Sequence, residues 1–155
     1  MARFLAAALL AALVAAGPAA ACFGPRLKVA VGGPAPLAAY VFGYYVEDRA
    51  GTGVEFVEAP DPGAEVAEGR ADVALVPAGA GTPEGLVVRS AGVVPGVGPA
   101  SFWLRPEVLD DLRFTLVERA LGRMPALFGS EAYRAAAGSA DTPRAAARKV
   151  VLDAP

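Results

Sequence analysis

The chain has 155 residues, a formal net charge of -2 and 55% hydrophobic residues, with Lys and Arg dispersed along it. That length allows one modest domain with a real core but not two, and the charge balance leaves no basic footprint for nucleic acid. With no histidine and a single cysteine, Ser-His-Asp and Cys-His constellations, His-liganded metal sites and an intrachain disulfide are excluded; no catalysis, cofactor or metal is expected.

The N-terminus, MARFLAAALLAALVAAGPAAAC, carries Arg3, an apolar run from Phe4 to Ala16, a Gly17-Pro18 break and small residues before Cys22. This is the order of a secretory leader, and the run is shorter than the roughly 20 residues of a spanning helix. Residues 1–21 are expected to be a signal peptide, 22–26 a short linker and 27–155 one exported α/β domain. Ala19-Ala20-Ala21-Cys22 resembles the lipobox of bacterial lipoproteins, although Ala19 stands where that family usually carries Leu. The resemblance implies lipidation of Cys22 and a periplasmic or membrane-anchored protein; cleavage at an A-x-A site leaving an idle thiol is the alternative. The mean hydropathy of +0.44 owes much to the leader and to alanine. A lipid at Cys22 is therefore the only membrane attachment expected.

Residues 27–31, LKVAV, alternate and carry β-branched side chains, which predicts a strand. The glycine turn GGPAP follows, and Pro36 opens a helix over residues 37–49 that Gly51 or Gly53 caps. Residues 54–59, VEFVEA, read as a strand with one wet face, and PDPGAEVAEGR as a short helix with Asp61 as its cap. ADVALVPA, residues 71–78, is a continuous apolar run of the buried parallel type. The order βαβαβ with right-handed crossovers predicts a mainly parallel sheet with the first strand inside it.

GAGTPEG is a loop by composition. LVVRSAGVV and SFWLRP are further strands, separated by PGVGPA. Residues 106–124 then predict one long helix with Leu109, Leu112, Leu116, Ala120 and Met124 near one face. Shorter helices are expected near 127–137, ended by Gly138, and near 143–152, opened by DTP.

The glycine clusters match no nucleotide motif, since GGPAP has neither G-x-G-x-x-G spacing nor a P-loop Lys-Ser/Thr. Asp48, Asp61, Glu65, Glu68 and Asp72 are carboxylates that could pair for acid/base work, with a solvated surface as the plainer reading. Tyr40 and Tyr44 stand at i,i+4 with Tyr45 adjacent, and Trp103 lies on a strand next to Phe102. Their rings either pack in the core or bind a quaternary ammonium by cation–π attraction.

LKVAVGG, VEFVEA and EVAEGRADVALVP in this order resemble the first lobe of type 2 periplasmic solute-binding proteins, with Gly69-Arg70-Ala71-Asp72 where that family carries a small G-x-A/I-D element. VVPGVGPASFWLRPEVLDDLRFTLVERALGRM and GSEAYRAAAGSADTPRAAARKVV are similar to the closing segment of the glycine betaine/choline type, with Asp141-Thr142-Pro143 and Ala147 in its terminal helix. The resemblance implies a periplasmic-binding-protein-like α/β lobe, a helical C-terminal part and a small solute as ligand, an osmolyte or quaternary amine being one guess. It departs from the family at PAGAGTPEG, where a second lobe would be inserted and is not.

The expected ligand face lies at the C-terminal ends of the parallel strands, using the backbone of Gly32 and Gly33, the loop at Ala78 and Gly79, and Trp103. The implied function is that of an exported solute-binding module, the binding component of an ABC-type importer with a transporter permease as partner. The alternative is a one-lobe domain without small-molecule ligand that binds a protein or a second copy of itself; a homodimer would rebuild a two-walled cleft.

Overall fold

The computed structural model describes residues 25–154; the leader and Cys22 lie outside the described residues. Strand β1 (Leu27–Val31) is followed by helix α1 (Pro36–Ala50), β2 (Val54–Glu58), α2 (Pro62–Ala67) and β3 (Val73–Pro77). β1 pairs in parallel with both β2 and β3 and lies between them, as the βαβαβ reading predicts. Pro36 sits in the first turn of α1, and Gly51 at φ 64° closes it in the left-handed conformation, each residue serving its usual end of a helix. Asp61 caps α2, its carboxylate accepting from the Ala64 amide at 3.1 Å.

The next two strands correct the sequence reading. β4 (Val87–Val94) and β5 (Gly98–Leu104) form a hairpin, and β5 joins the sheet beside β3 to give the order β2-β1-β3-β5-β4. Both new pairings are antiparallel, so the sheet is mixed, not mainly parallel. For the β4–β5 pair connection length is the reason: residues 95–97 are all that join the two strands, and a parallel pair needs a crossover of about a dozen residues or more. The hairpin also takes Gly98 to Ala100, expected as loop, into β5.

The C-terminal half holds α3 (Pro106–Asp110), a 3₁₀ turn (Leu112–Phe114), α4 (Thr115–Phe128), α5 (Glu131–Ala137) and α6 (Pro143–Leu152). The single long helix expected from residue 106 is broken at Asp111. Its backbone is extended, and its carboxylate accepts from the Arg113 amide at 2.9 Å, which starts a new turn instead of continuing the old one. The break shifts the helical register: Leu112 is 86% exposed and Leu116 39%, while Val117, Leu121 and Met124 are buried. α4 then runs on to Phe128, and α5 begins at Glu131 where residue 127 was expected.

The sheet buries two unequal faces. Val29, Val31, Phe102 and Leu104 belong to a large core shared with α1, α4 and α6, and Ala30, Ala74, Val76 and Trp103 to a small one covered by Val66 of α2. α1 packs against the sheet, α4 and α6 at once, and a helix enclosed in this way must be apolar nearly all round. Residues Ala38 to Tyr44 of α1 are all buried. No described helix is long and apolar enough to cross a membrane.

Candidate functional site

A cleft of about 660 Å³ opens at the C-terminal ends of β1 and β2. Val31 and Gly32 form one wall, Pro36 and Tyr40 of α1 the floor, and Glu58 to Pro60 a second wall. The first turn of α6, from Thr142 to Arg144, lines the remaining side, and the cleft stays broadly open to solvent. Two local signals place α6 there: Thr142 caps it by accepting from the Ala145 amide at 3.3 Å, and Pro143 occupies its first turn. Gly32 is required by close approach, because a Cβ at that position would lie 1.8 Å from the Ala59 carbonyl oxygen.

Two opposite charges border the cleft, each held by a tyrosine of α1. Tyr40 Oη donates to Glu58 Oε1 at 2.5 Å. Arg144 Nε donates to Tyr44 Oη at 2.9 Å. Tyr40 and Tyr44 fall on one helical face because they are four residues apart, so the acid and the base are positioned by successive turns of the same helix. Burial pushes the Tyr40 hydroxyl up to about 12, with the Glu58 hydrogen bond and charge adding to it and Arg144 opposing. The Arg144 guanidinium is raised further by the Tyr44 hydroxyl. Glu58 and Arg144 feel each other's charge without forming a direct ion pair among the described contacts.

The Phe56 ring packs edge-on against Tyr40 at 4.9 Å and Tyr44 at 5.1 Å, while the two tyrosine rings lie close to parallel with centres 6.4 Å apart. Arg144 Cζ lies 5.9 Å from the Tyr40 ring centre and 5.7 Å from that of Phe56, and Arg148 Cζ lies 4.7 Å from Tyr44. These aromatic faces, expected either as core or as a seat for a quaternary ammonium, therefore already carry guanidinium groups of the chain itself.

Of the residues expected to bind ligand, Gly32 lines the cleft. Gly33 lies in the same turn, exposed, at φ 57° and beside Pro62. Ala78 and Gly79 are exposed on the loop after β3 and are not in its lining. Trp103 is 7% exposed in the small core, with Gly63 of α2 against its ring; its strand faces it to the side opposite Phe102, so it does not join the cleft. The carboxylates considered for acid/base work have structural partners. Glu65 and Glu68 pair with Arg70, Asp48 with Arg49, and Asp72 accepts from the Lys28 amide at 2.8 Å. Glu58 and Arg144 were not singled out by sequence; the only signals near them are the strand end before Pro60 and the Thr-Pro start of α6.

No family model, no curated protein and no solved structure matches this chain.

Proposed function

We propose that the protein is an exported solute-binding module, of the type 2 periplasmic kind implied by the resemblance, and that the cleft at the ends of β1 and β2 takes a small zwitterion. The observation that carries this reading is the pair of opposite charges on the cleft, Glu58 held by Tyr40 and Arg144 held by Tyr44, which do not neutralise each other. A ligand with a cationic and an anionic end meets Glu58 with one and Arg144 with the other. Charge-assisted contacts of this kind are the stronger hydrogen bonds, and guanidinium suits a carboxylate. Because Arg144 and Arg148 already cover the tyrosine rings, a quaternary amine is recognised here through Glu58 and not through an aromatic cage.

Thermal melting of the protein with betaines and amino acids, with cations lacking a carboxylate and with carboxylates lacking an amine tests the reading. Binding to the folded state alone raises stability by mass action, about 2.7 kcal/mol at a hundredfold excess over the dissociation constant. A shift confined to zwitterions and lost in both Glu58→Gln and Arg144→Gln supports it. No shift with any solute overturns it. The second reading, a protein-interaction or structural lipoprotein, is favoured by β4, an eight-residue edge strand on which Val88 and Val93 are exposed, since a free edge accepts a strand from another chain. Sedimentation that shows self-association abolished by a proline in β4 would favour this second reading.

A further inference from the structure

A second groove lies between α1 and α4, apart from the cleft. Two depressions of about 450 and 190 Å³ meet at Tyr45 and Arg123. Arg49, Arg119 and Arg123 line the groove, and no carboxylate does among the described residues. Arg49 is committed to Asp48 and to the Ala154 carbonyl. Arg119 and Arg123 sit one turn apart on α4, both exposed, and form no salt bridge among the described residues. The same stripe carries apolar surface that the broken helix turned outward: Leu116 lines the groove and is 39% exposed, and Leu112 is 86% exposed. Leu116, Arg119 and Arg123 recur at i, i+3 and i+7 on the solvent side of α4, and Leu112 stands exposed in the 3₁₀ turn just before it.

A stripe that pairs unneutralised arginines with protruding leucines matches a surface offering negative charge and hydrocarbon together. A soluble phosphate supplies the charge and leaves Leu112 in water, whereas a bilayer supplies charge and hydrocarbon along the whole stripe. We propose that this stripe docks on an anionic phospholipid bilayer, with Arg119 and Arg123 on the lipid phosphates beside Tyr45 and with Leu112 and Leu116 entering the acyl-chain boundary. The face is separate from the solute cleft and shares no lining residue with it.

The test is co-sedimentation of the full chain with vesicles of phosphatidylglycerol and phosphatidylcholine, and with phosphatidylcholine alone. The expected result is binding that requires phosphatidylglycerol, weakens with salt, and falls about thirtyfold in the Arg119→Gln/Arg123→Gln double variant, taking about 1 kcal/mol for each basic residue at an anionic surface. Lysine at both positions restores it, and Leu112→Ser weakens it. The apolar run at residues 4–16 is common to the parent and the variants, so the quantity read is the salt-sensitive increment in binding that phosphatidylglycerol adds over phosphatidylcholine alone. No increment with phosphatidylglycerol in the parent, or an equal increment in the double variant, overturns the proposal. Full competition by inorganic phosphate would reassign the groove to a soluble anion, and full competition by polyglutamate to an acidic protein; either also overturns it.

Discussion

Tyr40 Oη donates to Glu58 Oε1 across 2.5 Å, tying the second turn of α1 to the last residue of β2. The bond fixes the carboxylate on the wall of the cleft and removes the tyrosine hydroxyl from ordinary titration. Burial first, and then Glu58, raise the Tyr40 hydroxyl from the usual 10 to about 12. The folded state therefore holds its proton where the unfolded chain has lost it. By linkage, this contribution to stability is complete below pH 10 and is lost as pH rises from 10 to about 12. Spectrophotometric titration in alkali is expected to show Tyr40 ionising late in the native protein and earlier in Glu58→Gln. Tyr133, held near 12 by burial alone, is expected to be unchanged by that substitution. Identical ionisation of Tyr40 in the parent and in Glu58→Gln would contradict the bond.

Gly32 and Gly81 give a contrasting pair. A methyl at Gly32 meets the Ala59 carbonyl oxygen at 1.8 Å, and one at Gly81 meets nothing within 4 Å. Gly32→Ala is expected to destabilise by about 3 kcal/mol, the upper part of the range for overpacking, because the obstacle is backbone and cannot rotate away. Gly81→Ala is expected to stay within about 0.5 kcal/mol of the parent. Urea denaturation of the two variants checks the difference, and equal midpoints would remove the close approach of β1 and β2 at the cleft.

Leu112 and Leu121 test the break in the C-terminal helix. Leu112 is 86% exposed and Leu121 3%. Leu112→Ser is expected to change stability by less than about 0.5 kcal/mol, and Leu121→Ala to cost about 2 to 5 kcal/mol. A continuous helix with Leu112 on its buried face would make both substitutions costly.

Asp111 makes the same break sensitive to acid. The Arg113 side chain and then the Arg113 amide hold its carboxyl at about 2, below the usual 3.8. A carboxyl lowered by folding stabilises above its unfolded value, and that contribution is lost as pH falls from 3.8 to about 2. Melting temperatures of the parent and of Asp111→Asn are expected to differ by a constant amount above pH 3.8 and to converge as pH approaches 2. A gap that persists at the acid end would assign the cap to the side-chain shape rather than to its charge.

The first half of the domain was legible because its signals are local. The alternation in LKVAV, the continuous apolar run before Pro77, Pro36 at a helix start and Gly51 at its end each act within a few residues, and Thr142-Pro143 marks α6 in the same way. Where competing local signals met, periodicity misled. From residue 106 onward the leucine spacing fits one helix, but the Asp111 carboxylate pairs with the Arg113 amide and rotates everything after it. The expectation of a mainly parallel sheet rests on the resemblance and the βαβαβ order, and both concern only its first strands.

The cleft was less legible, and the reason is separation along the chain. Gly32 was found from its turn, but Glu58 and Arg144 carry no motif. Tyr44 and Arg144 are 100 residues apart, and Tyr40 reaches Glu58 only because α1 starts beyond the end of β1 and packs against both β1 and β2. The sequence by itself determined the α/β class, the first five elements and the absence of histidine chemistry, all of which depend on composition or on neighbours in the chain. The seating of the hairpin beside β3 and the meeting of an acid and an arginine on one cleft were decided by tertiary structure, because each depends on which distant backbone segment packs alongside, whereas the hairpin itself and the outward turn of Leu112 follow from a short connection and a local cap.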